Sequence, residues 1–133
     1  MSTMKREEIR EMTMQVVYQM DVMGDFDYRN ISLITENEQI QKEKQALQTL
    51  DVIRDHRDEI DEMIDSHSDR WKTNRMGKTD LAIFRIAVAE ICYMDAIPDS
   101  VSIDEAVKMA KKYGEDRSYA FINSVLGKIA KDK

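Results

Sequence analysis

The chain has little of what staples or punctuates a small fold: of its 133 residues one is cysteine, one is proline and four are glycine. Cys92 has no second cysteine to pair with. With no CxxC pair and no Cys/His cluster, zinc-finger and disulfide-stapled secreted scaffolds are excluded. Gly and Pro supply the tight turns of strand-rich folds, so their scarcity points to helices and away from a β-sandwich or barrel. No stretch approaches ~18 uninterrupted apolar residues. The N-terminus carries Lys5, Arg6, Glu7, Glu8 and Arg10 where a signal peptide needs an apolar run. The expectation is a soluble, cytoplasmic protein that does not span a membrane, folded as a single domain over residues 1–133.

The chain is also short of positive charge. Its 20 basic residues face 26 acidic ones, a net charge of −6, which argues against gripping nucleic acid by bulk electrostatics. The deficit is local: residues 21–66 hold five basic and thirteen acidic side chains, whereas residues 67–133 hold twelve and ten. The acidic block reads as a solvated face of surface helices. An anionic ligand would then be met by the two ends of the chain.

What is present is helical periodicity. Ile9, Met12, Val16, Val17, Met20 and Met23 recur at three- and four-residue spacing, predicting a first long helix over residues 5–23 that Gly24 ends. A weak pattern over 28–41 predicts one short helix. Ala46, Leu47, Leu50 and Ile53, then Ile60, Met63 and Ile64, predict two helices dividing around His56 to Asp58. Leu81 to Cys92 is nearly continuous apolar sequence broken by Arg85 and Glu90, and predicts a central helix whose two charges bond to neighbouring helices. Ser102 and Glu105 have the spacing of a capping box, Gly114 is placed to end that helix, and a last helix is expected from about Arg117 to Ala130. About seven helices with short connections describe an all-α fold.

Catalytic chemistry has no foothold. His56 and His67 stand eleven positions apart outside any ligand motif, the glycines form no phosphate loop, and Cys92 lies in the most apolar segment with no positive cluster to activate it. The acidic run Asp58 to Asp65 has no calcium-loop spacing. No catalytic residue, metal site or cofactor is expected. By elimination the sequence describes a binding protein.

Three segments resemble the NusB family of bacterial transcription antitermination factors. They are REEIREMTMQVVYQMD from Arg6 to Asp21, DLAIFRIAVAEI from Asp80 to Ile91, and, most specifically, IPDSVSIDEAVKMAKKYGEDRSYAFINSVLGKI from Ile97 to Ile129. The last carries Pro98, Glu105, Ala106, Lys111, Gly114, Phe121, Asn123 and Leu126 in order. Trp71 and the stretch from Arg54 to Asp61 extend the likeness, leaving residues 22–42 unmatched. Asp104, Ser124, Gly127 and Ala89 depart from the family pattern.

The resemblance implies an all-helical fold of two small packed bundles and a role without catalysis. Family members pair with NusE, a ribosomal small-subunit protein, and the heterodimer binds single-stranded boxA RNA of nascent transcripts within the RNA polymerase antitermination complex, notably in ribosomal RNA operons. Residue by residue, it implies RNA contacts at Lys5, Arg6 and Arg10, and at Lys111, Lys112, Tyr113, Arg117, Tyr119 and Phe121, where cations alternate with rings able to stack on unpaired bases. Phe121 reads equally well as core. Tyr18 and Asp80 match the NusE side, with core packing and helix N-terminal charge as their rival roles. Two other readings stand beside this one: a self-associating helical module, since some members form homodimers, and an accessory to a ribosomal RNA cytosine methyltransferase, since a similar domain occurs fused to such enzymes.

Overall fold

The computed structural model describes residues 4–133; residues 1–3 of the expected domain lie outside the described residues. Seven α-helices follow in order: α1 Arg6–Met23, α2 Ser32–Thr35, α3 Glu38–Gln41, α4 Lys44–His67, α5 Lys78–Tyr93, α6 Asp99–Tyr113 and α7 Ser118–Asp132, with 3₁₀ turns at Tyr28–Asn30 and Thr73–Arg75. No strand occurs among the described residues. The fold is all-α, as expected.

α5 is the axis. Every residue from Leu81 to Ile91 is buried, because this helix is covered by α1, α4, α6 and α7 at once. A helix so enclosed has no polar face to spare, and its two charges are matched from outside. Glu90 receives two hydrogen bonds from the Arg10 guanidinium, at 3.0 and 3.1 Å, and one from the Ser102 hydroxyl at 2.8 Å. Arg85 is held bidentate by Asp61, at 2.9 and 2.8 Å, with Asp21 at 3.6 Å. Each pair joins α5 to a different helix, so the charges fix which helices meet it and in what register. α1 runs antiparallel to α5 through Arg10–Glu90 and Asp21–Lys78. It runs parallel to α6 through Glu7–Lys108 and Glu11–Lys112.

α4 serves both halves of the molecule. Its start bonds the N-terminal turn through Asp51 to the Tyr28 hydroxyl at 2.6 Å, and its end meets α7 through His67 and Asp132 at 2.9 Å. The expected division at His56 is a break within one continuous span, where His56 has φ −129° and ψ 21°. Its ring stacks on Tyr93 at 4.4 Å and bonds Glu59 at 2.8 Å. The expected short helix over 28–41 is instead a 3₁₀ turn and two four-residue helices. Phe26 anchors the chain just before them, with the Arg57 guanidinium 4.5 Å from its ring and that of Arg85 at 5.1 Å. Gly24 caps α1 at φ +66°, a left-handed conformation that favours glycine.

The capping box is corrected. α6 begins at Asp99, after Pro98, so Ser102 lies a turn inside the helix and its hydroxyl goes to Glu90. Its own N–H already bonds the Pro98 carbonyl at 3.2 Å, so no helix start remains there to cap, and the hydroxyl donates to the buried carboxylate instead. Ile122, Val125, Leu126 and Ile129 of α7 are buried as the periodicity required, and Cys92 is half-buried against the core, which raises its thiol pKa. Among the described residues no helix is long and apolar enough to cross a membrane, and no cluster of His, Cys, Asp and Glu could hold a metal ion.

Candidate functional site

The N-termini of α5 and α7 and the C-terminus of α6 converge on one corner, and most of the expected site residues collect there. α6 ends at Gly114, whose N–H returns to the Ala110 carbonyl at 2.8 Å. Three residues later the chain turns through Arg117 at φ +68°. A non-glycine residue holds a left-handed conformation when its surroundings fix it. Here the next residue, Ser118, starts α7 and donates its hydroxyl to Asp80 Oδ2 at 2.8 Å. Arg117 is thereby presented to solvent at the rim of a cavity of about 340 Å³.

Arg70, Trp71 and Arg75 line that cavity with Arg117 and Phe121, and the carboxylates of Asp80, Glu115 and Asp116 stand among them, so cations and anions alternate around it. Phe121 is half-buried: its ring stands edge-on to Phe84 at 5.7 Å, and it also lines the cavity. Sequence reasoning misses Arg70, Trp71 and Arg75 as site residues. They occupy an irregular segment without periodicity, and the signal available is compositional: a half-exposed Trp between two arginines, the pairing of ring and cation used to hold unstacked bases.

The neighbouring surface carries the α6 cations. Lys111 sits 5.0 Å from the Tyr119 ring, and Lys112 5.2 Å from that of Tyr113. Lys112 and the Tyr113 hydroxyl both donate to Glu11 of α1, at 3.0 and 2.9 Å, and that carboxylate raises the Lys112 pKa. Lys5 and Arg6 open α1, exposed, with no ion pair among the described residues.

Arg10 is corrected. It is 3% exposed and its guanidinium faces Glu90, so the carboxylate that needs a partner in the apolar core has drawn it inward. Its place in α1, one turn beyond Arg6, puts it on the buried side of the helix with Ile9, Val16 and Val17.

Tyr18 and Asp80 meet across a second cleft of about 400 Å³, which Lys78, Thr79 and Tyr113 complete. Tyr18 is 38% exposed. Asp80 is half-buried in the first turn of α5, and loss of water raises its pKa despite the Ser118 bond, which opposes that rise. Met14, Gln19 and Leu33 continue the Tyr18 cleft as an apolar groove between α1 and α2.

The molecule is an all-helical scaffold with two adjoining clefts, one where arginines stand beside aromatic rings and one where Tyr18 and Tyr113 stand with Lys78, Thr79, Asp80 and Glu115. The NusB family matches residues 7–131, and the chain belongs to that family. It is 36% identical over 132 residues to the transcription antitermination protein NusB of Finegoldia magna, covering 98% of this chain and 96% of the relative. It is 41% identical over 131 residues to that of Agathobacter rectalis, covering 96% and 100%. Among solved structures, T. maritima NusB superposes with a TM-score of 0.85 at 29% identity, covering 99% of this chain and 94% of the other. A chain from the crystal structure of antitermination factors NusB and NusE in complex with dsRNA superposes with a TM-score of 0.80 at 23% identity, over 96% and 97% of the two chains, and supports the fold alone.

Proposed function

We propose that this chain is a cytoplasmic transcription antitermination factor that pairs with NusE and binds single-stranded boxA RNA of nascent transcripts, notably in ribosomal RNA operons, without catalysing a reaction. Its described residues act as one domain. The observation that carries the reading is the pair of adjoining clefts in a chain related to NusB proteins over nearly its full length. RNA meets Lys5, Arg6 and the surface of Lys111, Lys112, Tyr113, Arg117, Tyr119 and Phe121, with Arg70, Trp71 and Arg75 added around the cavity. NusE meets Tyr18 and Asp80. The net charge of −6 is compatible with this, because local potential and shared phosphate contacts decide affinity.

The test is a titration of fluorescent boxA-like RNA with this protein, alone and with NusE from the same organism, against a scrambled RNA at fixed salt. Sequence-dependent binding that strengthens with NusE is the expected result. No binding by folded protein under either condition overturns it. The exposed apolar side chains Tyr18, Val22, Met23 and Leu33 favour, as a second reading, a homodimer that covers the Tyr18 groove. The mass in solution separates the two: a monomer supports the heterodimer reading.

A further inference from the structure

α1 and α6 are joined along their exposed edge by a ladder of opposite charges. Glu7 and Glu11 stand one turn apart on α1, and Lys108 and Lys112 one turn apart on α6. Lys108 Nζ donates to Glu7 at 3.1 Å and to Glu105 at 3.3 Å. Lys112 Nζ donates to both oxygens of Glu11, at 3.1 and 3.0 Å, and the Tyr113 hydroxyl donates to the same carboxylate at 2.9 Å. The two rungs differ in how firmly the carboxylate is held. Glu7 is 59% exposed and accepts one of these bonds, whereas Glu11 is 22% exposed and accepts three. Both lysine side chains are 60% exposed, so an anion in solution can reach them. Glu7 and then Glu105 raise the Lys108 pKa, and Glu11 raises that of Lys112, so the two cations stay charged while their fields are opposed at close range.

We propose that Glu11, and to a smaller extent Glu7, mask the α6 lysines, so that an RNA phosphate can touch Lys112 but gains little from its charge. This inference rests on the RNA-binding reading above and assigns to two acidic residues the setting of its strength. A phosphate that reaches Lys112 also meets the field of Glu11, and attraction to the one is offset by repulsion from the other. The pair carries no net charge, so contact with it releases fewer counterions from the RNA than contact with a lone lysine would. Glu11 is mostly covered and held by three bonds, and RNA does not readily push it aside. Glu7 is free to turn into water and masks less. The attraction that the mask removes is the part every RNA shares, which leaves contacts to bases a larger share of the binding.

The test compares Glu11→Gln, Glu7→Gln and Glu62→Gln, which change the net charge equally; Glu62 is exposed on α4, outside the ladder. Affinity for boxA-like RNA and for a uridine homopolymer of the same length is measured over a series of salt concentrations, with thermal melts to confirm folding. Glu11→Gln should steepen the slope of log affinity against log salt by about 0.7, one single-strand phosphate, for both RNAs. Over the decade from 1 M to 0.1 M salt that slope is about a fivefold gain in affinity. Glu7→Gln should gain about twofold or less, and Glu62→Gln should move neither quantity. Equal gains in all three would assign the effect to net charge and overturn the mask. Weaker binding by Glu11→Gln would overturn it too, because the carboxylate would then be positioning Lys112 for RNA. Lys112→Met supplies a second reading: it should weaken RNA binding by less than about twofold in the unaltered chain, and should abolish the gain in the Glu11→Gln background. A loss of about fivefold or more from Lys112→Met alone overturns the mask even if Glu11→Gln does not fold. If the unaltered protein binds RNA and Glu11→Gln leaves affinity and slope unchanged, the mask alone fails; if no variant binds either RNA, the RNA-binding reading fails and the mask with it.

Discussion

At the scale of the residue, the N-terminal cations divide by what faces them. Arg10 lies against Glu90 in the core, and removing either partner leaves an unpaired buried charge. Arg10→Ala should therefore lose about 3–5 kcal/mol of stability, read by urea unfolding, with RNA affinity per folded molecule unchanged. Lys5 and Arg6 are exposed and should behave in the opposite way. Replacing both with Ala should leave the melt in place and reduce the slope of log affinity against log salt by about 1.4, at ~0.7 for each single-strand phosphate that is no longer neutralised. An unchanged slope would move the RNA path away from the start of α1. Asp80 gives a pH signature. Burial raises its pKa above the ordinary 3.8, so the stability it supports is present below that value and is lost as pH rises through the raised one. Asp80→Asn should accordingly be the more stable protein at pH 7, and the difference should vanish below about pH 4 when melts are compared across pH.

At the scale of the element, close approach matters most where α6 meets α5. Gly114→Ala would press a methyl group against the Ala110 carbonyl, 2.7 Å away and part of the backbone, so the turn must move. A loss of about 1–3 kcal/mol in a denaturant melt is expected. Leu126→Ala in α7, fully buried, should lose about 2–5 kcal/mol through the cavity it leaves. The long helices are legible in the sequence because eighteen or twenty-four residues give a 3.6-residue period room to repeat. The stretch from Tyr28 to Gln41 is not, since four-residue helices contain barely one turn of pattern. Ser102 misleads for another reason. Its spacing to Glu105 is local, while the carboxylate that captures its hydroxyl lies twelve positions back on a neighbouring helix. The same long-range demand hides the fate of Arg10. Half of the candidate site is visible as ring-and-cation spacing on α6 and α7, but the wall of Arg70, Trp71 and Arg75 has no period and becomes a site only when α7 folds beside it.

At the scale of the whole molecule, one hydrophobic cluster includes residues from all seven helices. Urea unfolding followed by far-UV circular dichroism and by a probe at Tyr93 or Trp71 should then give coincident transitions. Two separated transitions would mean that the N-terminal helices and the α5–α7 group fold as separate units. The acidity of residues 21–66 belongs to this scale too, because the cations proposed to meet RNA all lie outside that block. The Arg10–Glu90 pair has a consequence in time as well as in space. Its members are 80 positions apart, so during synthesis α1 leaves the ribosome while the strand of message encoding Glu90 is still unread. Until then Arg10 is a hydrated cation on a helix with nothing to pack against. The first segment made is among the last to be locked, and the nascent chain stays open to chaperones or to premature association until translation has passed α5.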